Sequence, residues 1–364
     1  MHLGRLWLTD FRCYEHAAVT FEPGCTVVTG SNGQGKTSLL EAIAWIATGR
    51  SLRGVPDRAL VRAGTDTAIV RAEVNHPQRS VLIEAEVHAV GRNRIMANKQ
   101  NVARRRDLAQ HLRVTVFAPD DLALVKGGPA GRRDYLDDLL VASTPRFAGV
   151  ITDYERVVKQ RNALLRAGVR TAEDRTTREV MNARLIDAGG ALVVGRLDLI
   201  DRLTPAVEIA YASLAGSAPG FATHYQPDWA QEPIAADNVA GALHDALARL
   251  ATREEDRGTT LVGPHRDDWA LDVGDLDARY HASQGEQRTL ALGLRLAGHR
   301  LVAEVTESEP VLLLDDVFSE LDSQRATALV DHLPATQTLV TTAGALPDGI
   351  RADAWLRVDN GSIT

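Results

Sequence analysis

The stretch TVVTGSNGQGKTSLLEAIAWIATG, Thr26 to Gly49, determines how the rest of this sequence is interpreted. A short apolar run leads into a glycine-rich turn, and apolar residues at helical spacing follow until Gly49. The turn, Gly30 to Thr37, matches G-x-x-x-x-G-K-[ST] in the strand–loop–helix context that this motif requires. Glycines there let backbone N–H groups converge on phosphates. The motif predicts that Lys36 bridges the β- and γ-phosphates of a nucleotide and that Thr37 binds Mg²⁺.

A second stretch, PVLLLDDVF at 310–318, predicts a buried strand of a parallel sheet that ends in two carboxylates. Asp315 is expected to hold Mg²⁺, and Asp316 to polarise the water that attacks the γ-phosphate. The alternative is an ordinary strand with an acidic turn. Because most of the chain separates Lys36 from Asp315, we expect an insertion between two adjacent strands. No guanine-binding NKxD motif follows the second carboxylate, so ATP is favoured over GTP.

The stretch SQGEQ, Ser283 to Gln287, opens another apolar-periodic helix and is a second candidate phosphate site, without a lysine. It resembles the loop by which an ABC-type ATPase head grips the γ-phosphate bound to another copy of the head. That resemblance implies that Ser283 and the Gly285 backbone bind phosphate across a head-to-tail dimer, with SELD (319–322) beside them. Ser283 and Glu286 also fit a capping box, either as the sole role or together with phosphate binding.

Composition and charge restrict the class of protein. The 364 residues have a net charge of −7 and two cysteines, which argues against a chain that coats nucleic acid throughout and excludes a disulfide scaffold. No signal peptide and no apolar run of the ~18 residues that a membrane span needs is found, so we expect a cytoplasmic, nucleoid-associated protein without a membrane partner. A basic run is either a solvated face or a DNA-binding patch. Its residues are Arg92, Arg94, Lys99, Arg104, Arg105 and Arg106.

The pattern of elements predicts an α/β fold, with a mixed sheet flanked by helices and an inserted, mainly helical second lobe. We expect the head at residues 1–118 and 258–364 and the helical lobe at 119–257. Residues 217–235 are expected to be loop, and strands to resume after Gly258. Helical patterns at 131–166 and 172–215 predict a short antiparallel arm, whose second helix has an apolar stripe. The stripe comprises Val180, Leu185, Leu192, Leu199 and Leu203.

The chain resembles the RecF family of bacterial recombination mediator ATPases, of the ABC/SMC type, over essentially its whole length. The blocks that carry the resemblance are LTDFRCY (8–14), GSNGQGKTSLLEAI (30–43), TGRSLRG (48–54), VFAPDDLALVKGGPAGRRDYLD (116–137), LVGPHRDD (261–268), SQGEQRTLALGLRLA (283–297) and LLLDDVFSELD (312–322). The resemblance implies an ATP-induced homodimer that binds gapped DNA or single-strand/double-strand junctions. It also implies that the dimer promotes RecA loading with RecR and RecO, and that slow, DNA-stimulated ATP hydrolysis resets it.

The same resemblance implies the site residues. Catalysis would rest on Lys36, Asp316 and Ser283, and Mg²⁺ would be held by Thr37 and Asp315. The implied nucleotide contacts are Arg12, Gly30, Ser31, Asn32, Gly33, Gln34, Gly35, Lys36, Thr37, Ser38, Ser283, Gly285, Gln287 and Asp322.

The sequence also departs from the ABC pattern. Gln284-Gly285 stands where the signature has Gly-Gly, and TTA at 341–343 stands where transporter ATPases have a switch histidine. These departures argue against fast turnover and against a transporter subunit. The turn at 119–121 is the candidate equivalent of the Q-loop. Two alternative functions are a nucleotide-binding subunit of an ABC transporter and an SMC-like structural tether, for which the arm is too short.

Overall fold

The structure, a computed structural model, describes residues 1–216 and 220–364. The strands are β1 His2–Phe11, β2 Tyr14–Thr20, β3 Cys25–Thr29, β4 Thr67–His76, β5 Arg79–His88, β6 Arg94–Ala97, β7 Gln100–Asn101, β8 Val114–Phe117, β9 Phe221–Gln226, β10 Asp268–Val273, β11 Leu276–Asp277, β12 Val311–Asp315, β13 Thr338–Thr342, β14 Ala354–Asp359 and β15 Ser362–Ile363. The helices are α1 Lys36–Thr48, α2 Leu122–Lys126, α3 Pro129–Ser143, α4 Phe147–Ala167, α5 Ala172–Ala215, α6 Val239–Arg257, α7 Ala278–His281, α8 Gln284–Thr306 and α9 Ser323–His332.

The chain forms two compact units. Unit 1 comprises Met1–Leu122, Ala210–Ser217 and Arg288–Thr364, and unit 2 comprises Ala123–Ile209 and Ala218–Gln287. This division differs from the predicted one at residues 258–287, which we expected in the head and which lie in unit 2. The reason is side-chain pairing: Arg132 of α3 binds Asp268 through two hydrogen bonds of 2.8 Å, and Tyr135 stacks on Trp269.

Unit 1 contains two six-stranded sheets. The antiparallel sheet has the order β2-β1-β4-β5-β6-β7, and the other sheet has the order β15-β14-β3-β13-β12-β8 and is parallel from β14 to β8. Helix α1 is buried in a hydrophobic cluster that draws side chains from both sheets. Cluster members include Leu6, Leu8, Val70, Ile83, Val28, Leu313, Leu339, Leu40, Ile43 and Trp45. The predicted mixed sheet with flanking helices is confirmed.

Strand β13 lies between β3 and β12 in the parallel sheet. The strand that enters the phosphate loop and the strand that carries Asp315 are therefore next-but-one neighbours, and the expectation that they are adjacent is wrong. Asp315 pairs in register with Thr341, and Thr341 pairs in turn with Val28. A residue of β13 is consequently placed between the two halves of the predicted site.

Unit 2 is helical with one small sheet, of order β11-β10-β9. Residues 221–226 form β9, although we expected loop at 217–235; residues 217–219 lie outside the described part. The strand forms because it pairs with all of β10, from Phe221 with Val273 to Gln226 with Asp268. Pro227 follows the strand and does not interrupt its hydrogen bonds.

The predicted two-helix arm is an assembly of more helices. The stretch 131–166 contains two helices, α3 and α4, because Pro145 disfavours helical geometry at Thr144, where φ is −138° and ψ is 88°. Arg161 of α4 is 1% exposed and donates to Asn182 of α5 and to Glu254 of α6, which ties three helices together.

The predicted apolar stripe on α5 is only partly correct. Leu185, Leu192, Leu199 and Leu203 are buried, but Val180 is 50% exposed. Val180 lies near the start of α5, where the neighbouring side chain of Arg178 makes an exposed ion pair with Glu255 of α6. Within the two described ranges, no helix is long and apolar enough to cross a membrane.

Candidate nucleotide site

The phosphate loop curls because of its glycines. Gly30 and Gly35 have φ values of 149° and 123°, in the region that favours glycine. A Cβ on Gly30 would lie 2.3 Å from the carbonyl oxygen of Val358, and a Cβ on Gly35 would lie 2.7 Å from Cys13 Sγ. The hydroxyl of Tyr14 donates to the carbonyl of Gly35 at 2.9 Å. The loop is therefore held against β14 and against the start of β2, with space only for glycine.

Lys36 is 7% exposed, although it carries an ammonium group. Its Nζ donates to the carbonyl oxygens of Gly30 (2.7 Å) and Ser31 (3.0 Å), so the side chain folds over its own loop. A buried cation whose hydrogen bonds go to backbone carbonyls can exchange these dipolar partners for the oxygens of an anion. This geometry suits the predicted contact with phosphate oxygens.

Asp315 is the centre of the site. It is 5% exposed, and its Oδ1 accepts from the hydroxyls of Thr37 (2.9 Å) and Thr341 (2.8 Å). Burial raises the pKa of Asp315 above its usual value, and the two hydroxyl donors oppose that rise. The two predicted metal ligands are therefore within hydrogen-bond distance of each other, at the junction of α1 and β12.

The donor set fits Mg²⁺. Thr37 and Asp315 offer a hydroxyl and a carboxylate, the hard oxygen ligands that Mg²⁺ takes together with water and substrate phosphates. Elsewhere in the described ranges, no group of three or more His, Cys, Asp and Glu is placed to hold a metal ion. A site with one or two protein ligands is what a phosphate-bound Mg²⁺ requires.

Thr341 is a site residue that no sequence motif predicts. Its hydroxyl donates to Asp315 and accepts from the backbone N–H of Asp316 at 3.0 Å, so it fixes both carboxylate residues. In the sequence it stands out only as part of TTA, where a switch histidine is absent. A threonine at the end of an apolar strand matches no motif, and its role becomes visible only once β13 is known to lie beside β12.

Asp316 has a left-handed backbone, with φ 52° and ψ 26°. That conformation is uncommon for a residue with a side chain and persists only where its surroundings hold it. Here Thr341 accepts from the N–H of Asp316, and the Ser319 hydroxyl donates to its carbonyl oxygen at 2.8 Å. The strained turn directs the chain away from β12 immediately after Asp315, which separates the environments of the two carboxylates.

Arg12 contacts the phosphate-loop helix. Its Nε and Nη2 donate to the buried carboxylate of Glu41 in α1 at 2.8 and 3.0 Å, and its Nη1 donates to Ala59 at 2.6 Å. The hydroxyl of Ser51 donates to the same carboxylate. The structure thus places Arg12 where it orients α1, and its predicted contact with phosphate would have to compete with Glu41.

Gln34 braces the phosphate loop. Its Oε1 accepts from the backbone N–H of Asn360 at 2.7 Å, and its carbonyl accepts from Gly361 at 3.2 Å. Both partners belong to the turn between β14 and β15. The Gln34 side chain is therefore engaged with this turn, so its predicted nucleotide contact would fall to its backbone N–H. Ser31, Asn32, Gly33 and Ser38 occupy the remaining positions of the loop and the first turn of α1.

The segment around Ser283 forms the predicted capping box. The Ser283 hydroxyl donates to Glu286 Oε2 at 2.7 Å, the N–H of Glu286 donates back to the Ser283 hydroxyl at 3.3 Å, and Ser283 itself is exposed. Gln287 is only 5% exposed, and its amide donates to the carbonyls of Ala278 and Arg279 in α7. Gln287 therefore holds α7 against α8, which conflicts with the predicted direct contact with nucleotide.

The remaining predicted residues of unit 1 have structural partners. Asp322 caps α9 by accepting from the N–H of Arg325 at 2.8 Å, and this hydrogen bond lowers the pKa of Asp322. At the candidate Q-loop turn, Asp121 accepts two hydrogen bonds from Arg295 of α8. Arg288, also on α8, donates to the carbonyl of Glu320 at 2.8 Å. The SELD segment is thus tied to the part of α8 that lies in unit 1.

The basic run divides into two groups. Arg92, Arg94, Lys99 and Arg104 are exposed. Arg105 is exposed as well, but it donates to the carbonyl of Gly49 at 2.8 Å and pairs with Asp57 at 2.6 Å. Arg106 is half-buried with interactions of its own. Arg105 therefore fastens the end of α1, and its predicted place in a free DNA-binding patch is not supported by its contacts.

Comparisons with known proteins identify relatives that match nearly the whole chain. A family model described as RecF/RecN/SMC N terminal domain matches residues 2–345. The protein named DNA replication and repair protein RecF from Frankia alni is 46% identical over 94% of this chain and 93% of its own length. The protein of the same name from Streptomyces avermitilis is 43% identical over 100% of this chain and 99% of its own length.

Two solved structures are similar to this chain over its whole length. A structure titled as the recombination mediator protein RecF-ATP in the RecFOR pathway has a TM-score of 0.92 and 26% identity, and covers 100% of this chain and 96% of its own. A structure of an Smc head bound to the C-winged helix domain of ScpA has a TM-score of 0.55 at 17% identity over 100% of this chain and 97% of its own, which supports the fold alone.

Replacing Thr341 with valine tests the role of its hydroxyl. Thr341→Val keeps the shape of the side chain but removes a donor to Asp315 and an acceptor for Asp316, so we expect ATP hydrolysis to fall about 10- to 100-fold. The Mg²⁺ concentration for half-maximal activity should rise. A steady-state phosphate-release assay over a Mg²⁺ titration measures both.

Thr338→Val is the matched control, since Thr338 lies on the same strand, is also buried and has a hydroxyl that donates to Thr336, away from both carboxylates. Hydrolysis and Mg²⁺ dependence of the control should match the unmodified protein. If both variants lost hydrolysis equally, the loss would come from placing valine in β13 and not from the Thr341 hydroxyl. If Thr341→Val hydrolysed ATP at the unmodified rate, the hydroxyl would not have the role assigned to it.

Proposed function

The chain belongs to the RecF family of DNA replication and repair proteins, within the ABC/SMC-type ATPases, and on that premise we propose that it binds ATP with Mg²⁺, dimerises around the nucleotide and hydrolyses it. The observation that carries the proposal is the partly buried hydrogen bond between Thr37 and Asp315, with Lys36 folded over the same loop. These groups are the parts that phosphoryl transfer requires, held by residues far apart in the sequence. The solved RecF relative described with ATP supports the choice of nucleotide.

Each group has a separate role in this proposal. Lys36 leaves the carbonyls of its loop to bind the β- and γ-phosphates, and Thr37 and Asp315 hold Mg²⁺. When bound, Mg²⁺ neutralises charge on the β- and γ-phosphate oxygens. Asp316 accepts a hydrogen bond from the attacking water and orients it, while Thr341 holds the carboxylate of Asp315 and the backbone N–H of Asp316. Removal of such a general base typically slows a reaction by about 10²- to 10⁴-fold.

The second half of the site is provided by another copy of the chain. Ser283 and the N-terminus of α8 face solvent and can donate to a γ-phosphate held by the phosphate loop of a partner subunit. The Ser283 hydroxyl now donates to Glu286, so phosphate binding requires that this capping bond open. Dimerisation is therefore coupled to a change in the first turn of α8.

We infer the finer function from the relatives. The solved RecF structures are described as a recombination mediator protein in the RecFOR pathway. By that relation, the ATP-bound dimer of this chain binds gapped DNA or single-strand/double-strand junctions and acts with RecR and RecO to load RecA. Slow, DNA-stimulated hydrolysis then dissociates the dimer. A transporter subunit and a structural tether are not favoured, because full-length relatives above 40% identity are DNA replication and repair proteins.

Two substitutions separate binding from hydrolysis. Lys36→Met should abolish ATP binding and ATP-dependent dimerisation, because it removes the cation that meets the phosphates. Asp316→Asn should retain both but slow hydrolysis by about 10²-fold or more, which accumulates the dimer. Light scattering with and without ATP, combined with a phosphate-release assay, measures the two steps. Unchanged dimerisation of Lys36→Met, or near-normal hydrolysis by Asp316→Asn, would contradict the assigned roles.

The exposed basic residues test the binding of DNA. Neutralising Arg92, Arg94, Lys99 and Arg104 to alanine should weaken DNA binding in the presence of ATP. The slope of log affinity against log salt should become shallower by about 0.9 for each DNA phosphate that the variant no longer neutralises. Fluorescence anisotropy with gapped DNA at several salt concentrations provides both values.

A variant with Arg156→Ala and Arg202→Ala is the control, since both side chains are exposed and lie in unit 2. It should keep the unmodified affinity and slope. If the quadruple variant behaves like this control, the four residues form only a solvated face.

A further inference from the structure

Tyr280 is an exposed aromatic residue beside the proposed phosphate-binding segment. It is 69% exposed, although it lies only three residues before Ser283. The guanidinium carbon of Arg279 lies 5.1 Å from the centre of its ring, within the range of a cation–π contact. Leu276, the first residue of β11, is 55% exposed. An aromatic ring and an alkyl group therefore face solvent immediately before the SQGEQ stretch, with a half-buried cation against the ring.

The position of Tyr280 relative to Ser283 is fixed by hydrogen bonds. Asp277 caps α7 by accepting from the N–H of Arg279 at 2.7 Å, and Ala278 is fully buried. The buried amide of Gln287 donates to the carbonyls of Ala278 (3.0 Å) and Arg279 (3.1 Å). Gln287 is one turn into α8, so it joins the helix that presents Ser283 to the helix that presents Tyr280. The exposed ring of Tyr280 is not packed into unit 2, whereas the backbone on either side of it is held in place by these hydrogen bonds.

The aromatic residues near the phosphate loop are poorly placed to receive the base of a nucleotide. Tyr14 contacts the loop, but it is fully buried and its hydroxyl is engaged by Gly35. Trp355 is 61% exposed on β14 and pairs in register with Val27, two residues before the end of β3. Since β14 and β3 are parallel, Trp355 lies back from the sheet edge where the phosphate loop begins.

We propose that Tyr280, with Arg279 against its ring, is the stacking platform for the adenine base of an ATP whose phosphates lie in the phosphate loop of a second copy. This inference rests on the head-to-tail dimer proposed above. Ser283 and Tyr280 are at most ~10 Å apart along the chain, so both residues can contact one nucleotide. Exposed purine rings stack on tyrosine, and an adjacent guanidinium strengthens the contact.

A first experiment measures the dimer dissociation constant by analytical ultracentrifugation with a non-hydrolysable ATP analogue. Tyr280→Ala should raise it about tenfold or more, because each dimer then lacks two stacking interactions. Tyr280→Phe should restore it, since the ring and not the hydroxyl is required. Trp355→Ala, which removes another exposed aromatic side chain, should leave it unchanged. An unchanged Tyr280→Ala, or a weakening that phenylalanine does not restore, would overturn the proposal.

A second experiment identifies which subunit contacts the base. The Lys36→Met chain, which should not bind ATP itself, is mixed with the unmodified chain and irradiated with 8-azido-ATP. We expect the label on Tyr280 of the Lys36→Met chain, and only when the unmodified chain is present. Label confined to unit 1 of the unmodified chain would overturn the stacking proposal while leaving ATP binding intact. Absence of label from both chains would instead contradict the proposed function.

Discussion

The hydrogen bonds that Asp315 accepts from Thr37 and Thr341 are the interaction on which the rest of the site depends. A buried carboxylate is costly unless its oxygens are hydrogen-bonded. The two hydroxyls meet that requirement and join the beginning of α1, the end of β12 and the end of β13 at one point. Because β13 lies between β3 and β12, the order of the strands brings Thr341 to this point. This arrangement positions the phosphate loop, the two proposed metal ligands and the strained turn at Asp316.

The parts of the site that the sequence could predict are those whose chemistry fixes both residue type and spacing. The phosphate loop has this property, since glycines, a lysine and a hydroxyl must follow one another at set intervals, and so does the strand that ends in Asp315 and Asp316. Thr341 has no such signature, because its role comes from a neighbouring strand. Arg105 and Gln287 have side chains of types that are common in binding sites, but other residues engage them. Arg105 pairs with Asp57, which is distant in sequence, and Gln287 donates to Ala278 in the preceding helix. The prediction of loop at β9 failed since that strand depends on its pairing with β10.

The two halves of the proposed nucleotide site belong to different compact units of the chain. The phosphate loop and Asp315 lie in unit 1, whereas Ser283 and Tyr280 lie in unit 2. Helix α8 begins in unit 2 and continues in unit 1, where Arg288 contacts Glu320 and Arg295 contacts Asp121. An ATP molecule shared between two copies would therefore restrain both units of each chain. On this proposal, one sequence carries two phosphate-binding stretches, one with a lysine and one without, because each site takes one stretch from each copy.

The most direct test of the shared site is complementation between two inactive variants. Lys36→Met inactivates the phosphate loop of a chain, and Ser283→Arg blocks the segment that would contact the phosphate bound to the other copy. Neither variant alone should therefore hydrolyse ATP. A mixed dimer contains one intact site, formed by the phosphate loop of the Ser283→Arg chain and the Ser283 segment of the Lys36→Met chain. With equal mixing, neither variant should dimerise with itself, so the dimers that form are mixed and carry one intact site of two. Hydrolysis should then recover to at most about half of the unmodified rate. A mixture as inactive as its components would contradict the account.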